Sequence, residues 1–271
     1  MNRNETISYR PLTHVKELHS AVELQKTAWS QDTITSMPQM QAAILHGGSV
    51  IGAFHESRLI GFNYGFAGYD GQVTYLASHM MAIHPDYRDK GIGMQLKLEQ
   101  RLWAIQYGYR KIVWTYDPFE ARNGYLNLAK LGGIVSRFLP SFYGEDSNGL
   151  AIDRFMVEWE ILSERVVSAI ANPNEVSAEF GDYPELFVLQ SDGNRIAGIR
   201  NSNQILDNIS GCSIPVPRSG KLLKREQPDL FAAWHNHLRE HVAEAFSRGF
   251  QVVNLVRTNG HSHHYLLEAR R

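Results

Sequence analysis

Apolar positions along the chain fall into alternating helical and extended periods. Residues 7–13 (Ile-Ser-Tyr-Arg-Pro-Leu-Thr) read as a short strand, and Val15, Leu18, Val22, Leu24 and Trp29 follow at helical spacing over residues 14–29. Gln31-Asp32-Thr33 reads as loop. A second short helix is predicted from Met37 to Leu45, stopped by Gly47-Gly48. Three extended runs come next, at Ser49–Phe54, Leu59–Ala67 and Val73–Ile83. Tyr69-Asp70-Gly71 between the last two is a hairpin signal, and Pro85-Asp86 ends the third. A long helical period covers Ile92 to Tyr107 and closes at Gly108. Lys111–Tyr116 reads as strand, Glu120–Leu131 as helix up to Gly132-Gly133, and Ile134–Leu139 and Arg154–Ile161 as strands.

Beyond residue 162 the pattern is weaker. Glu164–Ala171 reads as helix, and Leu186–Gln190, Arg195–Ile199 and Ser213–Val216 as strands. Pro228–Ser247 is a long helix, followed by strands at 251–256 and 264–268. This divides the chain into an N-terminal domain, 1–162, and a smaller C-terminal α/β part, 163–271. Tyr107-Gly108-Tyr109 leads into Ile112-Val113 much as Arg248-Gly249-Phe250 leads into Val252-Val253, which suggests that the C-terminal part is a degenerate half-copy. The fold class is α/β (α+β), a mixed sheet flanked by helices.

Composition narrows the classes. The 271 residues are 43% hydrophobic and 20% charged, enough to build a sizeable core. Lys plus Arg number 27 against 28 Asp plus Glu, so no global charge favours nucleic acid or an anionic membrane. A single cysteine, Cys212, excludes a disulfide framework and a Cys-rich zinc site. The first six residues hold no apolar signal core, and no apolar run approaches the ~18 residues of a membrane span. A cytoplasmic protein is expected.

The most informative segment is Met80-Met81-Ala82-Ile83-His84-Pro85-Asp86-Tyr87-Arg88-Asp89-Lys90-Gly91-Ile92-Gly93-Met94, which passes from a strand through a turn into a helix. The first amides of a helix have no intrahelical acceptor and sit at the positive end of its dipole. Glycines there let backbone N–H groups close around a phosphate, and Arg88 and Lys90 add cations. The segment lacks the Gly-Lys-Ser/Thr of a Walker loop and the third glycine of a dinucleotide loop. It fits Arg/Gln-x-x-Gly-x-Gly/Ala. With the order of elements over residues 7–161, it resembles the GNAT superfamily of acyl-CoA N-acyltransferases, whose sheet is mostly antiparallel. The resemblance implies that the strand Met81-Ala82-Ile83 flanks the pantetheine arm of acyl-CoA. It further implies that Arg88, Asp89, Lys90, Gly91, Ile92, Gly93 and Met94 hold the pyrophosphate.

Trp114 to Gly133 corresponds to the next strand and helix of that family, where Asn123 and Asn127 become candidate coenzyme A contacts. The tyrosine that often protonates the departing thiolate is replaced by Leu128, so another acid is needed or the thiolate leaves unassisted. This block, with Tyr143-Gly144 and Asp153-Arg154-Phe155, resembles a two-part subgroup of about this length. Some of its members are similar to amino-acid N-succinyltransferases. The donor is therefore acetyl-CoA or succinyl-CoA, and Arg122, Arg137 and Arg154 are candidate partners of a dicarboxylic acyl group.

Transfer from a thioester to an amine needs a base, proximity and an oxyanion donor. His79, by strict alternation on the face of Met81 and Ile83, is the candidate base. Asp117 is a second candidate, for base or amine binding, although Asp-Pro also fits a turn cap. Tyr143 is a candidate acid. Glu99 falls in the apolar arc of its helix and reads as a structural carboxylate. The acceptor expected is a small-molecule amine or amino acid attacking directly in a ternary complex, and a homodimer is a candidate assembly. Two other classes compete. A non-catalytic binder of coenzyme A or a metabolite fits the missing tyrosine. A zinc hydrolase fits His237-Leu238-Arg239-Glu240-His241, a His-x-x-Glu-His motif, but its face is polar and little chain remains for a third ligand. No metal is expected.

Overall fold

A computed structural model of the protein describes residues 7–29, 33–173, 183–192, 195–202, 206 and 209–270. Gln31 and Asp32, read as loop, lie outside them. The fold is mixed α/β, and its contacts divide it into two compact units, Met1–Trp114 and Thr115–Arg271.

The first unit carries strands β1 (Ile7–Pro11), β2 (Ser49–His55), β3 (Arg58–Tyr69), β4 (Thr74–Ile83) and β5 (Lys111–Tyr116, which runs across the division), in that spatial order. Pairing is antiparallel up to β4, whereas β4 and β5 are parallel. Helices α1 (Val15–Lys26) and α2 (Met37–Leu45) cover one face. There Leu18, Leu24 and Met40 pack on Val50, Phe62 and Tyr64. Helix α3 (Ile92–Tyr107) covers the other, where Ile92 and Leu96 pack on Ile51, Ala53 and Ile60. The boundaries have local causes. Ser36 caps α2 by accepting from the Gln39 amide at 3.3 Å, with Pro38 in the first turn. Gly108 closes α3 at φ +102°.

The second unit carries α4 (Ala121–Gly124) running into a π-helical stretch (Tyr125–Lys130), β6 (Ile134–Leu139), β7 (Arg154–Glu160) and α5 (Glu164–Ala171). These are followed by β8 (Phe187–Asp192), β9 (Arg195–Asn201), β10 (Gly211–Pro217), α6 (Gly220–Glu226), α7 (Pro228–Ser247), β11 (Phe250–Val256) and β12 (Ser262–Ala269). Its main strand order is β7-β6-β11-β12-β10, and β8-β9 form a separate hairpin. The interior is aromatic. Buried Trp159 donates to the Leu131 carbonyl at 2.6 Å, Trp234 to Pro215 at 3.0 Å and Tyr265 to Pro118 at 2.8 Å.

The compact units divide at 114/115, and within the second β6 pairs with β7 and also with β11, at Val135↔Val252. A long-range ladder of this kind has no local signature. The strand after Gly249 pairs antiparallel with the one that follows it, as does the strand after Gly133, whereas β5 is parallel to β4.

Candidate active site

The site read from the sequence lies on β4, the turn after it and the start of α3, all within the first unit. The β4–β5 ladder is registered at Leu76↔Ile112 and Ala77↔Val113, and among the described residues it extends no further. From Ser78 onward β4 has no ladder partner in β5 among the described residues, and the Ile83 carbonyl there accepts from Arg88 Nε. On its other side the pairing runs Gly65↔Ser78 and then Tyr64↔Met80. His79 is the extra residue of a β-bulge.

The bulge corrects the alternation. His79 does not share a face with Met81 and Ile83. Its ring lies 6.3 Å from Tyr64 and 5.8 Å from Phe66, and Tyr64 packs in the cluster under α1 and α2. Met81 and Ile83 pack against Ile92 and Leu96 on the α3 face. One inserted residue exchanges the faces of everything before it, and sequence alternation does not register it. Partial burial lowers the His79 pKa from its ordinary value, favouring the neutral imidazole.

The turn is pinned from both ends. The His84 amide bonds the Ile60 carbonyl at 2.8 Å, Tyr87 hydroxyl meets His55 Nδ1 at 2.6 Å, and Arg88 Nε donates to the Ile83 carbonyl at 3.3 Å. Lys90 Nζ lies 5.0 Å from the Tyr87 ring centroid. Asp89 and Gly91 adopt left-handed φ of +65° and +79°. At Asp89 this strains a non-glycine backbone, and at Gly91 it explains the glycine. A Cβ on Gly91 would meet nothing within 4 Å, so the position faces open space. No side chain caps α3. The amides of Ile92, Gly93 and Met94 precede the first intrahelical bond, from Gln95 to the Gly91 carbonyl at 3.1 Å. A Cβ on Gly93 would come within 3.3 Å of Ile83 Cδ1, so glycine also lets α3 approach β4 closely.

A feature the sequence hides lies beside the bulge. Lys97 of α3 is 3% exposed. Its Nζ donates to Ser78 Oγ at 2.8 Å and Gln100 Oε1 at 3.2 Å, and lies 3.6 Å from the Trp114 ring centroid. Burial pulls its pKa down from 10.5 to about 7. A lysine on an amphipathic helix reads as solvated, so only the Ser78 contact identifies it. Glu99 is half-buried and accepts from Gln95 Nε2 at 2.9 Å.

Asp117, Asn123, Asn127 and Tyr143 belong to the second unit. Asp117 Oδ1 accepts from the Phe119 amide at 2.8 Å, the turn-cap geometry, and burial raises its pKa. Asn123 is exposed inside α4 and does not cap it, since the cap is Glu120. Asn127 is buried, and so is Leu128, at 1% exposure. Tyr143 is exposed, with the Arg154 guanidinium 5.3 Å from its ring centroid. Cys212 is buried on β10 and its thiol is pushed up to about 12, unsuited to act as a nucleophile. His237 and His241 stack with ring centroids 6.4 Å apart and pack on Phe187, and His241 Nε2 meets Asn201 Oδ1 at 3.0 Å. Among the described residues no group of three or more His, Cys, Asp or Glu is placed to hold a metal ion. No helix there is long and apolar enough to cross a membrane.

Comparison with known proteins bears on these observations. Residues 18–132 match the model of the acetyltransferase (GNAT) family, a span that includes β4, the turn and α3. Solved structures are similar at low identity. The ribosomal-protein-S18-alanine N-acetyltransferase of Escherichia coli is 14% identical over 58% of this chain and 94% of its own, with a TM-score of 0.49. A GNAT acetyltransferase from Elizabethkingia anophelis with acetyl-CoA bound is 21% identical over 58% and 99%, with a TM-score of 0.45. The Salmonella typhimurium protein yncA, with its cofactor acetyl-CoA, is 17% identical over 57% and 94%, with a TM-score of 0.48. A search of curated proteins finds no match.

Proposed function

We propose that the protein, whose residues 18–132 match the model of the acetyltransferase (GNAT) family, transfers an acyl group from acyl-CoA to the amine of a small molecule. The observation that carries the reading is the uncapped start of α3 behind Gly91, where three amides and open space follow a strand that beyond Ala77 has no ladder partner in β5 among the described residues. In this reading the amides of Ile92, Gly93 and Met94 hold the pyrophosphate, with Arg88 and Lys90 adding charge. The stretch of β4 beyond Ala77 runs beside the pantetheine.

The amine nitrogen attacks the thioester carbonyl carbon. The C–N bond forms, a backbone N–H at the bulge stabilises the oxyanion, and the C–S bond breaks. His79 accepts the proton of the attacking nitrogen, directly or through water, and its lowered pKa keeps it neutral for that task. Leu128 is apolar and buried, so the thiolate departs without the usual tyrosine. The donor is acetyl-CoA or succinyl-CoA. Thiol release from each, measured against a panel of amines and D- and L-amino acids, tests the proposal. Turnover with at least one pair is expected, whereas coenzyme A binding without any turnover would favour the non-catalytic binder.

His79→Ala should lower kcat by about 10²-fold, within the usual range for a general base. As pH falls through the depressed His79 pKa the imidazole protonates, so the acidic limb of the wild-type rate profile belongs below the ordinary histidine value. The variant should lose that limb, and an unchanged profile would remove His79 as the base.

A further inference from the structure

The second unit contains a cavity of about 250 Å³ between the turn after β5, the 146–153 segment and helices α6 and α7. Its wall includes Asp117, Phe119, Asp153, Lys224, Phe231 and His235. We infer that this cavity binds a small primary amine with an apolar body, its ammonium on Asp117 and its body against Phe119 and Phe231. The inference rests on the transferase reading only in suggesting why an amine site is present.

Charge accounting selects the ligand. Asp146 is already paired with Lys224 and accepts amides from Asn148 and Leu150. Asp153, also buried, accepts the Ser141 amide at 2.7 Å and has His235 Nε2 at 3.5 Å and Arg239 Nε at 3.7 Å. Asp117 differs: one oxygen takes the Phe119 amide, and Arg154, His235 and Lys224 act on it electrostatically without an ion pair being formed among the described residues. Asp117 is thus the carboxylate of the wall with the fewest direct partners, the place where an added ammonium finds an acceptor.

His235 supplies an independent observation. It is 6% exposed, and its Nε2 lies 3.0 Å from the Ala151 carbonyl oxygen, which can only accept. Nε2 therefore carries the hydrogen, and in the neutral ring Nδ1 is an acceptor. Among the described residues that buried Nδ1 has no partner. An unpartnered imidazole acceptor and an unpaired carboxylate in one wall both call for N–H donors, which an ammonium offers three at a time. The Phe119 ring stacks on His235 at 5.7 Å and meets Phe231 at 4.9 Å, giving the same wall an aromatic surface for an apolar body.

Calorimetric titration of the full chain with 2-phenylethylamine and with its neutral analogue 2-phenylethanol, both without acyl-CoA, tests this. The amine should bind at least tenfold more tightly than the alcohol. Asp117→Asn, which keeps an oxygen for the Phe119 amide, should remove that preference. Leu238→Trp, which fills the cavity and leaves Asp117 in place, should abolish binding of both, and it serves if the asparagine variant does not fold. Equal binding of amine and alcohol, no binding of either, or full affinity in both variants would overturn the inference. Thiol release is read separately. Amine binding without turnover would defeat the transferase reading alone, and turnover without binding here would defeat this one alone.

Discussion

Gly91→Glu should raise the KM for acyl-CoA by at least 100-fold, about 3 kcal/mol, and leave the protein folded. The backbone at Gly91 is left-handed, at φ +79°, which costs an L-residue roughly 1–2 kcal/mol. The new Cβ meets nothing within 4 Å, so no packing is lost. A carboxylate at the start of a 16-residue helix also recovers roughly 0.3–1 kcal/mol from the dipole. Stability should therefore move little. The same carboxylate occupies the space proposed for the pyrophosphate, adds a like charge, and competes for the amides of Ile92, Gly93 and Met94. Gly91→Ala, which keeps the backbone strain without the charge, should weaken binding far less. Titration with coenzyme A beside thermal unfolding separates the two effects. A folded Gly91→Glu protein that binds coenzyme A as well as the wild type would disprove the phosphate role of this turn.

The segment that supports this prediction was legible because its signals are local. Gly91, Gly108, Ser36, Pro38 and Pro228 act within one helical turn, and α2, α3 and α7 begin and end where those residues predict. What escaped the pattern depends on pairing between distant segments. The bulge at His79 exists only relative to Tyr64 and Gly65 on β3, and it moved the candidate base to the opposite face. The division at 114/115 depends on the ladder between β6 and β11. Helix α6 was missed for another reason: Gly-Lys-Leu-Leu-Lys-Arg-Glu is short, polar and led by glycine, and only the Ser219 cap, accepting from the Leu222 amide at 3.2 Å, announces it. Asp117 was legible as a candidate for base or amine binding or as a turn cap, but the C-terminal residues that complete its cavity lie about a hundred positions away. No spacing rule connects them.

Relative to the wild type, Lys97→Met should be most stable at and below neutral pH and should lose ground as pH rises. In the unfolded chain the amine titrates near its ordinary 10.5, while in the fold burial holds it at about 7. Between those values the unfolded state binds more protons, so this group makes stability rise with pH. Its full penalty, about 5 kcal/mol from the shift, applies below pH 7, and the attraction of the Trp114 face at 3.6 Å offsets part of it. Methionine removes the charge and keeps most of the volume, but leaves Ser78 Oγ and Gln100 Oε1 without their donor at about 1–3 kcal/mol each. Together these losses offset most of the relief at pH 6, so the net change there is small and the pH dependence is the readout. Other groups oppose the trend in each protein equally, because buried Tyr116 and Cys212 have raised pKa values and favour unfolding in alkali. The difference between variant and wild type cancels them. That difference, from denaturant unfolding, should narrow by about 3 kcal/mol between pH 6 and pH 9. A difference independent of pH would mean that the Lys97 amine titrates alike in both states, and that the cluster beside the bulge holds an ordinary ammonium.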